Sequence, residues 1–174
     1  QALTINGGGT KITGSTHTNH NFILHGGKST ITGACEAVGT LTLTGNGLNI
    51  GSEVPGAPFV DMPDFTDIIR EQAQASGTWY NSSKVYDNNV TVNSSIYVNG
   101  EININSGRFS GTGCILAKNS IVFNGSSVYK APTDAICFYS ENGNIIFNGA
   151  KAEIHGIIYA PKGTVIFNGS NQTV

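Results

Sequence analysis

The chain has 174 residues, a formal net charge of −2 and only 11% charged side chains, where an ordinary soluble domain carries about 25%. Gly fills 23 positions, Asn 19 and Thr 17. This composition excludes a basic nucleic-acid-binding surface, a Lys- and Glu-rich helical bundle, and any apolar run of about 18 residues that would cross a membrane as a helix. Cys35, Cys114 and Cys137 lack metal-ligand spacing. They read as small buried hydrophobes, or as one bridge plus a free thiol.

A repeat opens the chain. Leu3, Phe22 and Leu41 stand 19 apart, as do Ile5, Leu24 and Leu43, then Gly7, Gly26 and Gly45, then Ile12, Ile31 and Ile50. Each copy holds short runs of Ile, Leu, Val, Thr and Phe between Gly, Asn and Ser. That is strand chemistry punctuated by turns. Residues 52–88 interrupt the pattern. Pro55, Pro58 and Pro63 mark an excursion. Asp64 is placed to cap a helix over about 65–76, with Gly77 as its stop. Phe65, Ile68, Ile69 and Gln72–Ala73 form its apolar face, expected to pack on the outside of the fold. Trp79 and Tyr80 follow. They read as a seal between helix and sheet, or as a contact point for a glycan or protein.

Residues 89–174 repeat again. Ile121–Gly125, Ile145–Gly149 and Val165–Gly169 share an apolar triplet followed by Asn-Gly, and Ile96–Gly100 reads as an earlier relative. Before the later copies lie Cys114–Ala117, Ile136–Tyr139 and Ile157–Ala160. A fixed step near 20 residues with strand-like runs predicts one all-β domain over 1–174. It is a parallel solenoid of about seven coils, right-handed by the usual crossover rule, with one helix packed outside. Coils 1–51 precede the excursion and coils 89–174 follow it. Phe123, Phe147 and Phe167 should then share one face, and Asn124, Asn148 and Asn168 should form an amide ladder. Open solenoid ends present strand edges, and Val174 follows the last coil without a cap.

Several segments resemble one bacterial family, the β-helical domain of pilus-assembly (PilX-type) and related surface proteins. They are Gly14–Asn19 with Phe22–Leu24, the stretch Val54–Phe65, Ala73–Tyr80, Ile96–Gly100, and Gly156–Pro161 with Val165–Gly169. The resemblance covers nearly the whole chain, and its order of coils, helix and coils is more specific than any single motif. It implies an extracellular or cell-surface protein with pilus or envelope partners. Family members carry a pilin-like membrane helix ahead of this domain, which this sequence lacks. No catalytic residue is implied. The 19-residue coils and the loop Lys130–Asp134 are local variations.

No cofactor or metal is expected. Asp61, Asp64 and Asp67 read as helix-entry capping and solvation, with calcium as the alternative. Glu36, Glu101, Glu141 and Glu153 fall at different phases of the repeat. His25 shares the column of Asn6 and Thr44, and His17 that of Glu36, which favours wall positions over a metal trio with His20. The expectation is a non-enzymatic structural or adhesive surface module. The alternatives are a carbohydrate-active enzyme or carbohydrate-binding module, and a bactofilin-like end-to-end polymer. Thr42 and Thr44 come nearest to an ice-binding Thr-x-Thr, but the motif does not recur in phase with the repeat.

Overall fold

The structure, a computed structural model, describes residues 2–105, 108–125 and 135–174. Gln1 and the Lys130–Asp134 loop lie outside the described residues. The first turns contain β1 (Leu3–Ile5), β2 (Lys11–Ile12), β3 (Thr16–Thr18), β4 (Phe22–Leu24), β5 (Thr30–Ala37), β6 (Leu41–Leu43) and β7 (Asn49–Pro55). Helix α1 (Thr66–Ala75) follows. The later turns contain β8 (Trp79–Tyr80), β9 (Lys84–Tyr86), β10 (Val90–Val92), β11 (Ile96–Val98), β12 (Ile102–Ile104), β13 (Phe109–Gly111) and β14 (Cys114–Ala117). They continue with β15 (Ile121–Phe123), β16 (Ile136–Ser140), β17 (Ile145–Phe147), β18 (Gly156–Tyr159) and β19 (Val165–Phe167).

The strands pair in parallel and stack as a β-solenoid. One wall, here the face wall, has eight strands in the order β6-β4-β1-β19-β17-β15-β12-β9. The solenoid therefore has about eight turns, one more than the repeats suggest. The additional turn begins at β9, inside the segment read as an excursion. Its Lys84 sits at a position that is Ile102 in the next turn, and the ammonium lies 3.8 Å from the centre of the Tyr80 ring. A cation over an aromatic face replaces the apolar residue that the repeat leads one to look for.

The wall order also changes the path of the chain. The first and last turns are neighbours: Leu3, Thr4 and Ile5 pair with Val165, Ile166 and Phe167. Thr173 bridges both Lys11 and Glu153. The chain starts in the middle of the rod and climbs to one end. The 57–65 segment and α1 then carry it along the outside towards the opposite end, from which it climbs back beneath its own start. Val174 is thus not at an open end. Its backbone exchanges hydrogen bonds with Lys11 and Thr13.

Inside, like stacks on like. Phe123, Phe147 and Phe167 share one column, with ring centroids 4.3 and 4.8 Å apart and interplanar angles of 10° and 8°. Corners need glycine because successive turns touch backbone to backbone. A Cβ on Gly7 would lie 2.0 Å from the Gly169 carbonyl oxygen, and one on Gly26 would lie 2.2 Å from that of Gly7. Ile96–Val98 is not in the Phe column despite its Asn-Gly ending. It pairs with β14 and β8 in a different wall. All its residues are buried because α1 covers that wall from outside.

Helix α1 buries Thr66, Ile69 and Ala73. The expected face was rotated: Phe65 and Ile68 are 46% and 57% exposed. Ile69 and Ala73 join Tyr97, Leu116 and Tyr139 in a second apolar cluster. Arg70 anchors the helix. Its guanidinium donates to Glu141 at 2.6 Å and to the Tyr97 hydroxyl at 3.1 Å. Asp64 precedes the helix, and its carboxylate accepts the Thr66 N–H at 2.9 Å.

Truncating Phe147→Ala should cost about 3–5 kcal/mol in denaturant unfolding, since it opens the aromatic column on both sides. Tyr86→Phe should be neutral or stabilising in the same measurement. The Tyr86 hydroxyl is buried with no hydrogen-bond partner, and such a group costs about 1–3 kcal/mol.

Candidate functional site

The outer surface of the face wall is the most regular feature of the molecule. In β4, β15 and β17 the flanking residues are buried while the central one is half-exposed. Strand alternation therefore turns the central residues outward. In wall order they are Thr42, Ile23, Thr4, Ile166, Ile146, Val122, Asn103 and Val85. This column has no charged side chain and runs about 34 Å at ~4.8 Å per strand.

Polar columns border it. On one side Asn6 donates to Asn168, Asn168 to Asn148, Asn148 to Asn124, Asn124 to Asn105, and Asn105 to Asp87, at 2.9–3.1 Å. The ladder expected from three asparagines thus spans six side chains. Every amide donates in one direction, and the acceptor-only Asp87 carboxylate ends the run, so the bonds polarise one another. Further up, His25 bonds Thr44 at 2.6 Å, in the column expected for it. On the other side, side-chain oxygens of one turn accept backbone N–H groups of the next: Asn21 from Thr40, Ser120 from Asn144, Asn144 from Thr164, and Ser83 from Glu101. These ladders explain why Asn, Ser and Thr are abundant.

The other candidates sit elsewhere. Trp79 lies in β8, its ring 4.2 Å from that of Tyr97 beneath α1, and its indole N–H donates to Asn81. Tyr80 packs against the main core under Lys84. Both are half-buried at the joint between helix and wall. His17 lies 3.1 Å from Glu36 in neighbouring strands. Glu141 holds Arg70, Glu101 accepts from Asn103, Glu153 contacts His155 at 2.8 Å, and Asp67 lies 3.7 Å from Arg70. Among the described residues no group of three or more His, Cys, Asp or Glu side chains is placed to hold a metal ion. All three cysteines are free thiols. Cys35 is buried, while Cys114 and Cys137 are half-buried neighbours in β14 and β16. The interaction between the two thiols lowers the Cys137 thiol from its ordinary value and raises that of Cys114, with burial adding to the rise.

Electrostatics concentrate where α1 meets its wall. Thr66, through its hydroxyl and its N–H, and then Tyr139 hold the Asp64 carboxyl below its usual range. Burial pushes Tyr139 up to about 12, with Asp64 adding to the shift against the opposing Thr66 hydrogen bond. Burial also pushes Tyr86 up to about 12, with Tyr80 adding to it. The sequence offered no signal for a concavity that the structure places between β3 and β18. It holds about 230 Å³ and is lined by Leu3, Ile12, Met62, Ile158, Val165 and Phe167 together with the polar stretch Ser15–Asn19. No protein-family profile, curated protein or solved structure matches this chain.

The pH dependence follows from these shifts. A tyrosine whose folded pKa is raised contributes stability that is complete below the unfolded value near 10. That contribution is lost as pH rises through about 12. Tyrosinate absorbance should show Tyr86 and Tyr139 titrating last, together with unfolding. Asp64 acts at the other end. Its depressed pKa contributes stability above the ordinary carboxylate range, lost as pH falls through the folded value. Asp64→Asn should remove that acid-side loss, read by the near-ultraviolet signal of Trp79 beside the helix.

Proposed function

We propose that this protein is a non-enzymatic structural or adhesive module of the bacterial cell surface, associated with a pilus or the cell envelope. The observation that carries this reading is the face wall. It is long, regular, uncharged along its centre and edged by amide and hydroxyl ladders. Such a surface binds by repetition: each turn offers one small uncharged contact, β-branched in all but one, and the contacts add along the rod when a ligand or partner is itself extended. Surface glycans and envelope proteins fit that chemistry. The dispersal of the acids also favours binding over catalysis. Glu141, Glu101 and Glu153 each engage a neighbouring side chain, whereas glycoside hydrolysis needs a facing carboxylate pair about 5–9.5 Å apart. The family resemblance of the coil and excursion segments points the same way.

A second reading has its own observation. The rod ends in β6 on one side and β9 on the other, each with one strand partner in the face wall. Such edges can pair with another copy. Concentration-dependent filaments in light scattering would favour this polymer over the adhesive module.

The test is twofold. Antibody labelling of intact, unpermeabilised cells should find the protein at the surface; labelling only after permeabilisation contradicts the reading. Ile146→Lys places a charge in the centre of the face wall at a half-exposed position. It should lower attachment to the cell's own envelope fraction about tenfold or more while leaving unfolding within roughly 0.5 kcal/mol. Undiminished attachment would remove the face wall from the account.

A further inference from the structure

The rod is continuous on the face wall but interrupted on the wall that carries α1. That wall contains β8, β11, β14, β16 and β18 in stacking order. By coil position β3 belongs to the same wall. Tyr159 precedes Val165 by the interval at which Thr16 precedes Phe22, and Val165, Leu3 and Phe22 share one column. Yet β1 lies between β19 and β4 on the face wall, and among the described residues no strand stands at its level here. Among the described residues β18 pairs only with β16, and β3 only with β5.

The gap is a built slot. Behind it the core opens into the 230 Å³ cavity, lined by apolar side chains together with the polar stretch Ser15–Asn19, where about 10–15 Å³ would hold one water. In front of it the excursion passes as a strap. Asn19 fastens the strap above, accepting from the Val60 N–H at 3.0 Å and donating to its carbonyl at 2.6 Å. Tyr159 fastens it below by donating to the Pro63 carbonyl. Met62 lines the cavity from the strap. Both flanking strands thus end at an open edge behind the strap.

We infer that this slot seats a parallel β-strand of the protein's own polypeptide, formed by the residues that lead into Gln1. The turn-to-turn step is 19 residues between β3 and β5. Counting back by that step from Thr16–Thr18 places the missing strand within the few residues directly upstream of Gln1. Ala2 is already in line. It occupies the position of Asn21, and its carbonyl accepts the Val165 N–H. A strand arriving from Val174 would first have to form its own corner beneath Thr13–Ser15, where Gly14 stands at φ 122°, a conformation that favours glycine. The upstream route has most of its corner on the chain. Seating the strand would pair both edges and close the core over Leu3, Ile158 and Val165. The chain would then enter the rod through its side, at mid-length, leaving the face wall and both ends free. This inference does not rest on the adhesive role.

Three chains test it: one beginning at Gln1, one extended upstream by the residues its gene encodes for one wall, and one extended by Gly-Ser residues of equal number. Amide hydrogen exchange in β3 and β18 should slow about tenfold or more in the encoded extension alone, with a higher melting temperature. Equal protection by Gly-Ser would overturn the inference. So would unchanged exchange with the encoded residues, protection gained only on extending past Val174, or a mature protein whose first residue is Gln1.

Discussion

The whole molecule depends on parallel strands stacking in register, so that each side chain meets its counterpart one turn away at ~4.8 Å. Three consequences follow at once. Aromatic rings inside can stack flat, as Phe123, Phe147 and Phe167 do. Amides outside can pass hydrogen bonds from turn to turn, as the Asn6–Asp87 ladder does. Charges cannot be repeated, because like charges at that spacing repel. The 11% charged content is therefore a property of the wall. Arg70 sits on the helix, outside the stack, and Lys84 on the lowest turn of the face wall, while charges within strands stack on residues of other types: Lys11 on Thr30, and Glu36 between His17 and Val54.

The same register makes the order of the turns independent of the order of the chain. Leu3 stacks on Phe22 above and on Val165 below, and the pairing physics is the same on both sides. An excursion that runs outside the rod is enough to let late turns dock beneath early ones. Helix α1 fixes that excursion with Arg70, Ile69 and Ala73 on Tyr97, Leu116 and Tyr139, and the strap residues fix it higher up. A solenoid normally grows at its ends; here both described chain ends, Ala2 and Val174, lie at mid-rod beside the interruption in the wall that carries α1.

Much of the fold was legible because a column is a direct statement of contact. The sets led by Leu3, Ile5 and Ile12 named residues that do pair. What was not legible is which turn follows which in space, since a repeat says that copies stack but not that they stack consecutively. Residue type also misled. Ile96–Val98 looks like Ile121–Phe123, and only the helix over Tyr97 tells the walls apart. Phe65 and Ile68 have the right helical spacing for a buried face, but the anchors Thr66 and Arg70 set the rotation. On the site, the sequence pointed to Trp79 and Tyr80, which lie at the helix joint. The face wall stayed hidden because its outward residues, Thr, Ile, Val and Asn, alternate with core residues of similar type. The slot could not be read at all, because it is a place where no described residue stands.

The proposed adhesive role and the proposed strand seat both use this discontinuous stacking. The first needs an unbroken face, and the second needs a break on the opposite path. The stacking itself is tested by distances between spin labels on paired outward positions in a cysteine-free background. Labels at Thr4 and Ile166 should report neighbouring strands, one spacing of ~4.8 Å apart along the wall, while labels at Thr42 and Val85 should report its two ends, about 34 Å apart. A solenoid wound in chain order would give the reverse: Thr4 and Ile166 at opposite ends, and Thr42 close to Val85. That result would contradict the account.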